Sequence, residues 1–158
     1  MTDDHPSDVR IASADPDSDA VRACFLRYFR ELDDVLAVGF DPAKSTSADG
    51  DELRPPRGIA LIVWDGAAPV GCGAVKFGGE TAEIKRMWLD PAVRGRGLSR
   101  RLLTALETHA RESGARSVLL DTNDALTSAV GLYRGAGYVA VAPYNDNAYA
   151  THWFSKTL

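Results

Sequence analysis

Cysteine is scarce, with Cys24 and Cys72 the two examples in 158 residues. Both stand among apolar neighbours without a CxxC spacing, so they read as two buried thiols in a reducing compartment, not a disulfide framework. The three histidines, His5, His109 and His152, have no second ligand at metal spacing, and no metal is expected. No run of eighteen apolar residues occurs, so a membrane-spanning helix is not expected. The opening MTDDHPSDVR is acidic and polar where a secretory leader is basic and then apolar, which points to a cytoplasmic protein with a flexible tail over residues 1–7. Aromatic residues make up 8% of the chain and the net charge is −4. That balance does not fit a basic, base-stacking nucleic-acid surface.

What is present suits one globular domain over residues 1–158, with 45% hydrophobic and 25% charged residues. The charge is unevenly placed: residues 1–60 hold 13 Asp/Glu against 7 Lys/Arg, whereas residues 76–116 hold 9 Lys/Arg against 5 Asp/Glu. A locally basic middle points to a site for a phosphorylated small molecule.

Periodicity divides the chain. Residues 8–14 predict a strand, and Asp15-Pro16 then offers a cap and first turn for a helix running to about residue 37, with Val21, Cys24, Phe25, Tyr28, Phe29 and Leu32 on its apolar stripe. The Pro-, Gly-, Ser- and Asp-rich run 41–58 predicts a mobile loop. Strands 59–64 and 69–77 flank an Asp-Gly turn and pair antiparallel, and 81–89 extends the meander. An amphipathic helix over 98–112 follows, with Glu107 on its outer face and Gly114 as its stop. Residues 116–121 predict a buried strand parallel to 81–89, because a crossover helix joins them. A helix over about 125–135 and strands at 138–142 and 149–158 complete a mixed α/β sheet with helices on both faces.

The most specific local feature is Arg94-Gly95-Arg96-Gly97-Leu98-Ser99, between a predicted strand and a helix start. Read from the residues alone, it is either an ordinary tight turn or a cradle in which backbone N–H groups, the helix start and two arginines receive a pyrophosphate. A dinucleotide fingerprint fails at its third glycine, where Arg100 stands, and no GK followed by Ser or Thr supports a triphosphatase.

The stretch AEIKRMWLDPAVRGRGLSRRLLTALE (82–107), followed by LYRGAGY (132–138), resembles the GNAT superfamily of acetyl-CoA-dependent N-acetyltransferases. Its cofactor signature is Gln or Arg, two free positions, Gly, one free position, then Gly or Ala. Arg94 and Gly97 match, and Ser99 fills the last place with another small residue. The resemblance spans nearly all of residues 8–158 and implies a mostly antiparallel central sheet with one splayed parallel strand pair.

It also implies roles. Backbone groups of Met87, Trp88 and Leu89 would meet the pantetheine arm of acetyl-CoA, and Arg94, Gly95, Arg96, Gly97, Leu98 and Ser99 would hold its pyrophosphate. Amine acetylation needs a neutral nitrogen from a group of pKa about 10. Glu83, in the position of the general base of the histone-acetylating branch, would take that proton, and Tyr133 would protonate the departing thiolate. An Asn that often precedes this Tyr by seven residues is absent; Leu126 stands there, and Asn123 is the nearest substitute for a cofactor contact. The acceptor implied is a primary amine of a small polar molecule, with Tyr28, Glu31, Phe40, Asn145 and His152 as candidate contacts. A covalent route through Cys72, a homodimer using the terminal strand with Trp153 and Phe154, and a non-catalytic CoA sensor are the alternatives.

Overall fold

The computed structural model describes residues 8–158 except Ser47 and Asp49, so the expected flexible tail over residues 1–7 lies outside the described residues. In chain order the elements are β1 (Val9–Ala14), α1 (Asp19–Val35), β2 (Gly58–Asp65), β3 (Ala68–Gly78), β4 (Thr81–Leu89), α2 (Leu98–Glu112), β5 (Ser117–Thr122), α3 (Thr127–Gly135), β6 (Val139–Ala140) and β7 (His152–Thr157). The strands form one seven-stranded sheet in the order β1-β2-β3-β4-β5-β7-β6. All neighbours run antiparallel except β4 and β5, which are parallel as a strand–helix–strand crossover requires.

Strand alternation sends side chains to two cores. On one face Ile84, Val118, Leu120 and Phe154 pack with Leu102, Leu106 of α2 and Tyr133 of α3. On the other, Ile62, Cys72 and Trp88 pack under Val21, Cys24 and Phe25 of α1. Helices therefore cover both faces of the mixed sheet.

Four details differ from the sequence expectations. Asp15 does not cap α1; Pro16 and Asp17 form a turn closed by Ser18 N–H to the Asp15 carbonyl (2.9 Å), and Ser18 is the cap, its Oγ accepting from Val21 N–H. The 41–58 loop is anchored: Ala48 and Leu53 are buried in the core beneath α1, and two single 3₁₀ turns, Pro42–Lys44 and Gly50–Leu53, order it. Glu107 of α2 points inward, where it accepts from the Tyr138 hydroxyl (2.7 Å) and from Lys156 Nζ (3.1 Å to each oxygen), so its charge is compensated. Finally, β7 is an interior strand between β5 and β6, with Phe154 wholly in the core, so Phe154 offers nothing to a partner surface.

Candidate active site

Two devices in β4 open the sheet. The first is a bulge: Cys72 faces Trp88 while Ala74 faces Lys85, so three steps on β4 oppose two on β3. The extra residue includes Arg86, which holds φ of 55°, a left-handed conformation uncommon for any residue but glycine. The second is a splay: β4 pairs with β5 only over Thr81–Glu83 against Ser117–Leu119. Beyond Glu83 the two strands part, and the β4 edge from Ile84 to Leu89 is left without a ladder partner on that side.

A cleft of about 1050 Å³ fills this opening, lined by Met87, Trp88 and Leu89 on β4, Arg94, Gly95 and Ser99 on the loop entering α2, Tyr28 and Glu31 on α1, and Ser128 and Tyr133 on α3. Its far end is the start of α2. There Gly95 and Gly97 hold φ of 80° and 75°, and no atom lies within 4 Å of where a side chain would begin on either. Gly97 is the N-cap and makes no side-chain cap bond, so no cap side chain occupies the first-turn N–H groups of this four-turn helix. An elongated thiol cofactor ending in a pyrophosphate fits these features: unpaired strand edge along the arm, unhindered amides and a positive helix terminus at the anion.

The arginines of the loop are already engaged. Arg94 donates to the Leu89 carbonyl through Nε (3.1 Å) and Nη2 (2.9 Å), and the same Nη2 meets Glu31 at 2.6 Å. Arg96 turns away from the cleft to Asp65, at 3.5 Å. Leu98 is buried in the core. At the end of β4, Asp90 accepts from Ala92 N–H (2.8 Å) and pairs with Arg27, contacts that hold its carboxyl below the usual range and fix where the loop begins.

Tyr133 is buried, its hydroxyl directed at Met87 Sδ at 3.8 Å, which places it on the cleft wall beside the parted strands. Burial, and secondarily the charge of Asp121, push the phenol above its ordinary value, so it stays protonated through neutral pH. Tyr28 is shifted the same way, by burial first and then by Tyr133 and Asp121.

A second, shallower cleft lies between α1 and the ends of β4 and β5. Tyr28 and Leu126 line both clefts and mark where they meet. Phe29, Phe40 and Tyr149 form a continuous aromatic wall, with ring centroids 5.4 and 4.8 Å apart. Asp121 lines the same space, fixed by Asn145 Nδ2 (2.6 Å) and Asn147 Nδ2 (3.0 Å).

Several sequence candidates take other places. Glu83 lines neither cleft; its Oε2 is 3.0 Å from Lys85 Nζ and accepts a long hydrogen bond from Asn145 Nδ2 (3.4 Å), so it stands one amide behind Asp121. Asn123 is in the second cleft, not with the signature loop, because it is used internally, donating to the Tyr149 carbonyl (2.7 Å) and accepting from Ala125 N–H (2.8 Å). His152 faces Asp124 and stacks on Phe154 with centroids 5.6 Å apart, outside both clefts. Asn145 supports Asp121 from behind and also accepts from Trp153 Nε1 (3.0 Å). Phe40, Tyr28 and Glu31 do line the clefts. Asp121 was missed, although alternation with buried Val118 and Leu120 predicts that it faces the α1 side of the sheet. Among the described residues no group of three His, Cys, Asp or Glu could hold a metal ion, and no helix is long and apolar enough to cross a membrane.

Comparison with known proteins accords with this geometry. The profile of the Acetyltransferase (GNAT) family matches residues 20–138. An "IAA acetyltransferase" of Azospirillum brasilense is 32% identical over 138 residues, covering 86% of this chain and 88% of that protein. Among solved structures, a GNAT-family acetyltransferase of Staphylococcus aureus superposes with a TM-score of 0.76 at 12% identity, over 94% of this chain and 98% of that one. An acetyltransferase of Bacillus subtilis in complex with CoA gives 0.64 at 14% identity, over 95% and 99%. With the splayed strand pair, the bulge and the glycine-bounded helix start in one chain, and the family profile running across all three, this protein belongs to the acetyltransferase (GNAT) family and is an acyltransferase.

Proposed function

We propose that this chain transfers the acetyl group of acetyl-CoA to the primary amine of a small molecule by direct attack in a ternary complex. The observation that carries the reading is the meeting of the two clefts at Tyr28, with a protonated phenol, Tyr133, on one side and a fixed carboxylate, Asp121, on the other. Acetyl-CoA supplies an activated thioester when bound. Met87 and Leu89 would meet its arm along the open edge of β4. The amides from Gly95 to Ser99 would receive the pyrophosphate, and Arg94 would exchange Glu31 for phosphate.

The acceptor arrives as an ammonium and must lose a proton before attack. Asp121 is the carboxylate within the second cleft, and we assign it that proton, with Glu83 behind Asn145 as the second carboxylate of the pair. Tyr133 gives its proton to the departing thiolate. The thiol of Cys72 makes no acyl intermediate: it is fully buried, donates to the Arg86 carbonyl at 3.4 Å, and burial pushes its pKa well up, away from the nucleophilic thiolate.

Isothermal titration with acetyl-CoA, followed in the same preparation by thiol release over a set of amines, tests the reading. Binding with amine-dependent thiol release is expected, and absence of binding overturns it. Asp121→Asn is expected to lower kcat about a hundredfold. If Glu83→Gln does so while Asp121→Asn does not, the base is Glu83, acting through water.

A further inference from the structure

We infer that Asn145 is a positioning residue of the transfer, holding the Asp121 carboxylate where the acceptor nitrogen must reach it, an inference that rests on the acetyl-transfer reading above. The sheet brings the parts together. Trp153 of β7 lies directly opposite Asp121 of β5 in their antiparallel register, so the two side chains leave the sheet on one face. Glu83 of β4 pairs with Leu119, two residues before Asp121, and shares that face. The stretch entering β7 lays Asn145 across all three. Its Oδ1 accepts from Trp153 Nε1–H (3.0 Å), and its Nδ2 donates to Asp121 (2.6 Å) and, at a longer 3.4 Å, to Glu83.

The amide is held one way round. Asn145 Oδ1 also accepts from the Asn147 backbone N–H at 3.2 Å. Indole and backbone N–H groups donate and do not accept, so a flipped amide would set N–H against N–H twice and turn its oxygen towards two carboxylates. The unit then repeats: Asn147 Oδ1 accepts from Tyr149 N–H (3.0 Å) while its Nδ2 donates to the other oxygen of Asp121 (3.0 Å). Two successive Asx turns, in Asn145-Asp146-Asn147-Ala148-Tyr149, thus hold the carboxylate by one N–H on each oxygen. Charge separates the two carboxylates. Glu83 is ion-paired with Lys85 Nζ at 3.0 Å, whereas the amides that meet Asp121 are neutral and leave its charge in place to receive a proton from an ammonium. Asn147 lines the second cleft with Asp121, but Asn145 does not. Asn145 therefore acts through Asp121 and not by touching the acceptor. It moves no proton itself; its two N–H groups keep the receiving carboxylate from swinging out of reach, where a shift of about 1 Å costs rate.

The test is a double-mutant cycle on the full chain, following thiol release from acetyl-CoA with the fastest amine among phenethylamine, spermidine, glucosamine and L-phenylalanine. Asn145→Ala is expected to lower kcat about 10- to 100-fold, the size of one charge-assisted hydrogen bond, with the amine KM kept within about twofold. In an Asp121→Asn background the same substitution is expected to cost less than about twofold, because the group it positions is gone. Trp153→Phe, which removes the indole donor and keeps the ring's bulk, is expected to lower kcat by about two- to tenfold, again only where Asp121 is present. It carries the cycle if Asn145→Ala does not fold. Equal fold-losses in both backgrounds would show a role confined to structure and overturn the inference, and a raised KM with kcat retained would make Asn145 an acceptor contact and overturn it too. Either result leaves acetyl transfer intact. An Asp121→Asn enzyme within about twofold of the parent, or acetyl-CoA that fails to bind or to release thiol with any of these amines, defeats instead the reading beneath, and this inference with it.

Discussion

Replacing Tyr133 by Phe removes one oxygen and little else. The ring keeps its edge contact with Tyr138 (5.7 Å) and its contact with Phe154 (6.3 Å), and the bond lost is a single long O–H to Met87 sulfur at 3.8 Å. Stability should therefore change by less than about 1 kcal/mol. Acetyl-CoA affinity should be kept, since the hydroxyl is directed at sulfur and not at the pyrophosphate end of the cleft. If the hydroxyl protonates the leaving thiolate, however, kcat falls about 10²- to 10⁴-fold, the range for a positioned acid, equivalent to roughly 3–5 kcal/mol in the barrier. The pH profile adds an independent requirement. Burial raises this phenol above its ordinary value of 10.0, so the acid form persists and Tyr133 contributes no loss of rate at any pH below about 10. Thiol release followed with a thiol-reactive chromophore across pH 6–10, beside acetyl-CoA titration and a urea melt, measures all three. A Tyr133→Phe enzyme retaining kcat within about twofold would refute the assignment, and one losing cofactor affinity in step with kcat would show the hydroxyl to be structural.

Other expectations concern the scaffold. Gly58→Ala would place a methyl group 2.2 Å from the Glu52 carbonyl oxygen and 2.6 Å from that of Val75, both backbone atoms, so a loss of about 3 kcal/mol is expected in urea unfolding. Glu107→Ala leaves the buried Tyr138 hydroxyl and the Lys156 ammonium without their shared acceptor; discounted for the partial exposure of Lys156, about 2–3 kcal/mol should be lost, with Glu107→Gln restoring the Tyr138 bond and part of the stability. Tyr28, Tyr133, Tyr138 and Tyr144 are all raised above 10.0, chiefly by burial. A raised folded-state value means their stabilising difference is fully present below pH 10, the unfolded value, and is lost as pH rises through the folded values. The urea midpoint should thus be indifferent to these groups up to pH 9 and drop steeply beyond pH 10, less so in Tyr138→Phe.

Elements bounded by strong local signals were legible in the sequence. Gly97 before Leu98 and Gly114 after Glu112 delimit α2, and the Asp65-Gly66 turn sets the β2–β3 hairpin. The 41–58 run was not legible as an anchored segment, because its polar composition conceals the fact that Ala48 and Leu53 reach the core. In the site, Tyr28 was read because helical periodicity assigns it a face, whereas Tyr133 and the anion-holding role of the glycine loop were read through the family resemblance of 82–107 and LYRGAGY. Asn123 and His152 depend on how the irregular stretch from Val141 to Thr151 crosses the sheet end, which long-range contacts such as Thr151 N–H to the Thr122 carbonyl decide. Arg86 is the clearest case: nothing in TAEIKRMWL announces an extra residue, since a bulge is a property of two paired strands and not of one.

That bulge links the two clefts causally. Inserting one residue at Arg86 reverses the alternation along β4, so that Ile84 faces α2 and, three steps on, Met87 faces the same side, while Lys85 and Trp88 share the α1 side. Without it Met87 would fall on the α1 side, away from Tyr133, and Leu89 with it. The same insertion bends β4 away from β5 just after Glu83, where their pairing ends, and so opens the edge along which a cofactor arm can lie. One strained residue therefore accounts for the open strand edge and for the approach of Met87 to Tyr133. Its left-handed backbone is retained because bulge, splay and the α1 contacts of the Arg86 side chain on Phe25 and Phe29, each 4.8 Å from ring centre, determine it together.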